Sequence, residues 1–312
     1  MFITSSSLDC FKSCRAKYKL RYVDCIVPKQ TSNALFFGSA MHTALERYFN
    51  NIPVVQAMGG EITAEEVTEG LFADDKFERA KLFGLMQGYI NHWLVTDTED
   101  YNVVAVEREF SHRIENHRIS VIDGEVKIFD VDFSGKIDGI LERKSDGKIF
   151  ILEHKTASIV DDDYINQKSI DSQTLTYAVM VQETLEKEVS GVIHDIIIKQ
   201  KIRIKKGESE DEFCQRLIDD VSDENFKRIQ IEFTQEYLND FKEELMESCR
   251  VLSSCRKYFK STCNCIGRYG ACEYLPICKA GGLTPDIADM YEQRRAHEEL
   301  SLQNGGDGND KV

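Results

Sequence analysis

Residues 133–156 read FSGKIDGILERKSDGKIFILEHKT, and this stretch decides the fold. Val, Ile and Phe crowd Lys127–Arg143 and Ile149–Thr156, while Ser145-Asp146-Gly147-Lys148 between them is a turn signal. Two adjacent strands of a sheet follow. Side chains alternate across a strand, so Glu153 and Lys155 share one side, and a hairpin brings Asp138 beside them. Two carboxylates and an ammonium then converge. Carboxylates are the donors that a hard cation such as Mg²⁺ or Mn²⁺ prefers, and such a cation activates water and stabilises charge on a phosphate. The lysine is placed to position water or to stabilise the transition state. Acids inserted into an apolar strand are costly to bury and mark a site or an exposed edge. Spacing alone leaves open a plain cross-sheet salt bridge between Glu153 and Lys155.

Working outward, an amphipathic helix is expected from about Ser7, with Leu8, Phe11, Cys14, Tyr18 and Tyr22 on one face. A second helix follows Gly38, with Met41, Leu45, Tyr48 and Phe49 inward and His42 and Glu46 neighbours on one side. Thr63 and Glu66 form a capping-box pattern that opens a helical region to about Trp93. Residues 102–113 read as a strand, 164–188 as helix, 191–206 as another strand, and 210–222 and 234–254 as amphipathic helices. Residues 255–278 show no periodicity, and Gln303–Val312 is expected to be disordered.

The chain has 312 residues, 42% of them hydrophobic, which is enough for one large α/β domain. No apolar run is long enough to span a membrane, and MFITSSSLDC lacks a basic segment followed by an apolar one, so a cytoplasmic location is expected. Ten cysteines without an export signal then point to metal binding rather than to disulfides. The net charge of −15 argues mildly against nucleic acid, but the basic residues are clustered. Lys12, Arg15, Lys17, Lys19, Arg21 and Lys29 face one acid, Asp24, and Lys199, Lys201, Arg203, Lys205 and Lys206 face none within their segment. The acidic stretches Glu61–Glu78 and Glu208–Glu224 read as solvated helical faces.

GKIDGI at 135–140 followed by ILEHKT at 151–156 resembles motifs II and III of the PD-(D/E)XK nucleases, specifically the RecB-like branch. The likeness extends to Ser5–Cys14, to FGSAMHTALE around His42, and to DSQTLTYAVM, where Gln173 and Tyr177 lie four apart. The resemblance implies a restriction-endonuclease-like α/β core, with a central mixed sheet flanked by helices. It implies that His42, Asp138 and Glu153 bind the metal, with the backbone carbonyl of His154 a further ligand, and that Lys155 is the catalytic lysine. Gln173 and Tyr177 would face the site and contact DNA or order the site. Without the family likeness, His42 would read as a packed or exposed histidine and Tyr177 as core. Glu107 and Glu109 in VEREF stand where the family often has an acid, and spacing does not choose between them.

Cys265, Cys272 and Cys278 fall in CIGRYGACEYLPIC, which lacks the paired CxxC spacing of common zinc modules. The set resembles the C-terminal cysteines of iron-sulfur RecB-like nucleases, such as AddB nuclease domains and CRISPR-adaptation nucleases. Cys14 stands where those proteins take their fourth ligand, so a [4Fe-4S] cluster is implied. It would close a loop of about 250 residues and tie both chain ends together. Structural zinc and unliganded cysteines stay open, as do Cys263 in place of Cys265 and Cys10 in place of Cys14. Cys25, Cys214, Cys249 and Cys255 read as ordinary residues.

The expected organisation is a single nuclease domain over 1–282, with a catalytic core at about 35–206 and a cluster segment at 255–282 with Cys14, followed by a C-terminal helix or disordered tail over 283–312. The expected reaction is metal-dependent hydrolysis of DNA, by an exonuclease on single strands or duplex ends, in recombination, repair or replication. No GxxxxGK[ST] loop occurs, so unwinding would fall to a helicase or recombination partner. The rivals are a catalytically silent DNA-binding subunit of the same fold and an iron-sulfur redox protein.

Overall fold

The apolar alternation around Asp138 and Glu153 forms an antiparallel strand pair, and the turn between them relies on Gly147 at a left-handed φ of 71°. The structure is a computed structural model that describes residues 2–29, 33–114, 119–122, 125–128, 131–267, 270–297 and 300. Its strands include β1 (Tyr101–Ile114), β2 (Val131–Arg143), β3 (Ile149–Ala157), β4 (Val189–Ile198) and β5 (Phe226–Glu232). Its main helices are α1 (Ser5–Ser13), α2 (Asn33–Met58), α3 (Lys76–Asp100), α4 (Asp162–Ser169), α5 (Ser172–Leu185), α6 (Glu210–Asp219) and α7 (Gln235–Ser253). The chain divides into two units: Met1–Thr31, Glu109–Lys136 and Asn239–Val312 form one, and Ser32–Arg108 and Ile137–Leu238 the other.

In the second unit the strand order is β2-β3-β4-β5, with β1 paired to β2. The β2–β3 and β4–β5 pairs are antiparallel and β3–β4 is parallel, so the sheet is mixed. A parallel pair needs a crossover, which α4 and α5 supply. Phe150 and Leu152 of β3, Ile193 and Ile197 of β4 and Phe226 of β5 pack against Met41, Leu45 and Phe49 of α2 and Leu82, Leu85 and Met86 of α3. Each such burial is worth roughly 1.5–3 kcal/mol. Helix α5 packs on β3 and β4 through buried Leu175, Ala178, Val179 and Met180.

In the first unit Phe2–Ile3 pairs parallel with Asp132 and Phe133, and Tyr291–Gln293 pairs antiparallel with Ile26–Pro28. Tyr274, Ile277 and Tyr291 form a small core of their own. The segment after residue 282 thus contains a short helix, Pro285–Ala288, and a paired strand. The expected disorder of Gln303–Val312 falls outside the described residues, as does His117. No helix among the described residues is long and apolar enough to cross a membrane.

Several boundaries differ from the sequence reading for identifiable reasons. Helix α1 starts at Ser5 because Thr4 is its N-cap, with Ser7 the reciprocal partner of that capping box. The apolar spacing toward Tyr22 is interrupted at Cys14, whose backbone is extended, and resumes as a helical turn at Arg15–Tyr18 and a π-helix at Lys19–Val23. Helix α2 begins at Asn33, so Gly38 lies inside it. The Thr63–Glu66 capping box is present but opens only Ala64–Thr68. Asp75 then caps α3, which runs past Trp93 to Asp100. The helical reading of 164–188 resolves into α4 and α5, with β4 already beginning at Val189. The strand expected over 191–206 stops at Ile198. Lys199 N–H still donates to Ala157 O at 2.8 Å, but the Gln200 side chain then turns to Leu217 O and Lys201, Arg203, Lys205 and Lys206 are exposed. Strand β5, in FKRIQIE, has no counterpart in the sequence reading.

Two features of β4 generate predictions. Gly191 lies so close to β5 that a Cβ there would sit 2.1 Å from Ile231 O. Gly191→Ala must push the strands apart, and destabilisation of about 1–3 kcal/mol or more is expected in denaturant titrations. An unchanged midpoint would show that β5 does not pair there. His194 is fully buried, its Nε2 3.2 Å from Lys168 O. Burial, with the charge of Lys168 adding to it, pushes its pKa down to about 4. A histidine lowered in the folded state stabilises fully above the unfolded value near 6.5, and that stability is lost as pH falls toward 4. Stability should therefore fall by up to about 3 kcal/mol across that window, at 1.36 kcal/mol per pKa unit. His194→Leu should flatten the profile, and an equally steep profile in that variant would remove the histidine from the account.

Candidate active site

The β2–β3 ladder runs from Glu142–Ile149 to Gly139–Leu152, and beyond it come Asp138 and Glu153. There the N–H of His154 donates to Asp138 Oδ2 at 2.7 Å, so a buried main-chain donor is satisfied by a carboxylate. Asp138 Oδ1 in turn lies 3.3 Å from His42 Nδ1 on α2. Glu107 of β1 completes the group, its Oε1 3.8 Å from the same nitrogen. Glu107 holds a left-handed φ of 47°, unusual for a residue other than glycine. Such a backbone costs on the order of 1–3 kcal/mol, and it aims the carboxylate at His42.

His42, Glu107 and Asp138 each offer one ligand atom, and the three atoms lie within 4.8 Å of one another. Burial opposes a charged imidazole at His42. Hydrogen bonds to Asp138 and Glu107 and their negative charge outweigh it and push the pKa up to about 10. Burial likewise opposes ionisation of Asp138, yet its bond to His42 and the His154 N–H hold it below the ordinary carboxylate range. Two acids thus stabilise a positive charge at their centre. One imidazole and two carboxylates at this separation suit Mg²⁺ or, better, Mn²⁺, with binding coupled to release of the His42 proton.

Glu153, buried to 2% exposure, is engaged instead by Lys155 Nζ. Burial raises the Glu153 carboxyl, with Lys155 opposing it. At Lys155 burial would lower the pKa, but Glu153, Asp138 and Asp171 keep it above the ordinary lysine value. The His154 side chain meets the His42 ring edge-on, with centroids 6.0 Å apart, and bonds Asp195 through Nδ1 at 2.8 Å. Gln173 Nε2 donates to Tyr177 OH at 3.0 Å, and burial followed by the charge of Glu153 raises the tyrosine pKa. The sequence-derived residues therefore fall into two sets, His42 with Asp138 and Glu153 with Lys155, and Glu107 joins the first.

Sequence reasoning left Glu107 undecided against Glu109 and missed Asp171, which pairs with Lys168 and caps α5 at Gln173 N. It also missed Asp195 and Arg228, although an aspartate inside GVIHDIIIK is the kind of exception that had singled out Glu153. Of the other described histidines, His92 pairs with Asp223 and His297 lies 3.3 Å from Thr4 Oγ1.

In the first unit, a cavity of about 320 Å³ is lined by Cys14, Cys265, Cys272 and Cys278, together with Lys17, Lys260 and Asn264. Cys10 and Cys263 are not in its lining. Cys263 is exposed, its Sγ 3.3 Å from Ser261 Oγ. Burial raises the thiol pKa of Cys272 and Cys278.

Comparison with known proteins yields no match among curated sequences. Among solved structures, the chain is similar to a candidate exonuclease from Eubacterium rectale. The two share 13% identity over 91% of this chain and 89% of that one, with a TM-score of 0.46. It is also similar to the protein SSO0001, at 11% identity over 82% and 79% of the two chains, with a TM-score of 0.35. A family model described as the PD-(D/E)XK nuclease superfamily matches residues 3–279. With that match over nearly its whole length, and an α/β fold with a mixed central sheet, the chain belongs to the PD-(D/E)XK nuclease superfamily.

Proposed function

We propose that this nuclease is a Mg²⁺- or Mn²⁺-dependent deoxyribonuclease, an exonuclease that hydrolyses phosphodiesters of single strands or duplex ends in recombination, repair or replication. The observation that carries this reading is the convergence of His42, Glu107 and Asp138 within ion-sharing distance, beside Lys155 and Glu153 on the adjacent strand. His42 and Asp138 would hold the cation with Glu107, Glu153 belongs to the ligand set implied by the sequence motifs, and the His154 carbonyl would be a further donor. When bound, the cation polarises the phosphodiester and lowers the pKa of water.

The remaining chemistry is this chain's own. Glu153 keeps Lys155 protonated, and the ammonium balances charge that develops on the phosphate oxygens. Tyr177 and Gln173 brace the site on the α5 side or contact the strand. The exposed cations Lys201, Arg203, Lys205 and Lys206 suit the sugar-phosphate backbone rather than base edges, which favours ends and single strands over a fixed sequence. Lys17 and Lys19 in the other basic segment are matched by Glu273 and Asp24, so that segment offers less than its composition suggests. A helicase or recombination partner would provide unwinding.

We also assign a [4Fe-4S] cluster to Cys14, Cys265, Cys272 and Cys278, with residues 1–282 acting as one nuclease domain in the cytoplasm. The common cavity supports this choice of cysteines.

Lys155→Ala should lower cleavage of end-labelled DNA in Mn²⁺ by roughly 10²- to 10³-fold while DNA affinity stays within a few-fold. Cleavage at the wild-type rate would remove Lys155 from the reaction, and equal loss of binding would point to a structural effect. Anaerobically purified protein should be brown, with broad visible charge-transfer absorption that Cys272→Ala abolishes along with several degrees of thermal stability. A colourless protein holding one zinc per chain would contradict the cluster.

A further inference from the structure

His154, Asp195 and Arg228 occupy one level of the sheet: His154 registers with Asp195 across β3–β4, and Asp195 with Arg228 across β4–β5. Their side chains are bonded in the same order. His154 Nδ1 lies 2.8 Å from Asp195 Oδ2, and Arg228 Nε donates to Asp195 Oδ1 at 3.0 Å. The guanidinium also takes both oxygens of Asp97 on α3, and Tyr89 OH bridges Arg228 and Asp195. Tyr48 OH closes the far end on Asp97 at 2.9 Å. Asp97 and Asp195 are each 1% exposed.

This polar rung lies among the apolar side chains that join the sheet to α2 and α3, with Phe49 against the His154 ring and Trp93 against Arg228. Stability does not explain it. Burying ion pairs carries a desolvation penalty that often cancels their attraction, and apolar residues of similar volume would serve as well or better. What the rung does provide is fixed geometry, since each member has its partners and its rotamer is locked. At its inner end is the one residue whose main-chain N–H holds Asp138.

We infer that the Asp195–Arg228–Asp97 rung is a positioning device for the metal centre. By clamping the His154 side chain, it sets that residue's main chain and therefore the angle at which Asp138 presents Oδ1 toward His42. His154, Asp195 and Arg228 are positioning residues, acting on the cation through Asp138, through the His154 main chain and through the His154 ring, which meets the His42 ring edge-on at 6.0 Å. The inference rests on the metal-centre reading above. Residues that orient a ligand from outside the coordination sphere typically change metal affinity by roughly 10–100-fold when removed.

The test is Mn²⁺ affinity by calorimetry, together with the Mn²⁺ concentration dependence of cleavage. Asp195→Asn keeps shape and removes charge, and it should weaken Mn²⁺ binding by roughly 10–100-fold, with cleavage largely restored at saturating Mn²⁺. His154→Gln should act alike, and the double variant should be no worse than the poorer single one, as expected for members of one chain of contacts. Tyr48→Phe, which loosens the far end, should lower the melting temperature and leave Mn²⁺ affinity within twofold. If Asp195→Asn does not fold, His154→Gln alone carries the comparison with Tyr48→Phe. Folded rung variants with Mn²⁺ affinity within twofold of wild type would overturn the inference, as would a Tyr48→Phe loss as large as theirs. Wild-type protein that takes up no Mn²⁺ would overturn the metal centre itself, and this inference with it.

Discussion

The hydrogen bond from His154 N–H to Asp138 Oδ2 joins the two strands where their regular ladder gives way to the site. A ladder bond would have satisfied this donor with a carbonyl. Using a carboxylate instead places a negative charge at the mouth of the strand pair, and the other oxygen of that carboxylate faces His42. The surrounding architecture serves this placement: β4 fixes β3 from the other side, α2 brings the imidazole, and β1 turns Glu107 inward through a left-handed backbone.

The unit holds an unusual amount of charge at low exposure. Glu153 and Lys155 compensate each other on one side of β3, while His154, Asp195 and Arg228 form a bonded row on the other. Alternation along a single strand separates the two systems, so the Glu153–Lys155 pair and the His154 row lie on opposite faces of three consecutive residues. The His42–Glu107–Asp138 group differs from both. It contains two acids and one base, and the raised pKa of His42 expresses its demand for positive charge. A proton meets that demand in part, and a divalent cation would meet it fully.

Much of this was legible in the sequence because strand periodicity exposes charged intruders. Asp138, Glu153 and Lys155 stood out from apolar surroundings, and the family motifs added His42, Gln173 and Tyr177. What spacing could not supply was tertiary. The choice of Glu107 over Glu109 depends on one backbone angle inside β1. The link from His154 to Asp195 depends on β4 lying parallel to β3, and Arg228 required a strand that the helix-dominated reading of the later chain did not contain. The end of β4 at Ile198 was missed because its basic continuation keeps an alternating pattern after its partner strand has ended. In the first unit, Cys14, Cys265, Cys272 and Cys278 were singled out by likeness, and the cavity they line leaves Cys263 outside.

The central claim is that one divalent cation is held jointly by an imidazole from α2 and an aspartate from β2. The most direct measurement is a crystal grown with Mn²⁺ and recorded at the manganese absorption edge. An anomalous peak bonded to His42 and Asp138 is expected, with a carboxylate of Glu107 or Glu153 turned toward it. A fully loaded crystal with no peak between His42 and Asp138, or with Mn²⁺ only on surface acids, would contradict it.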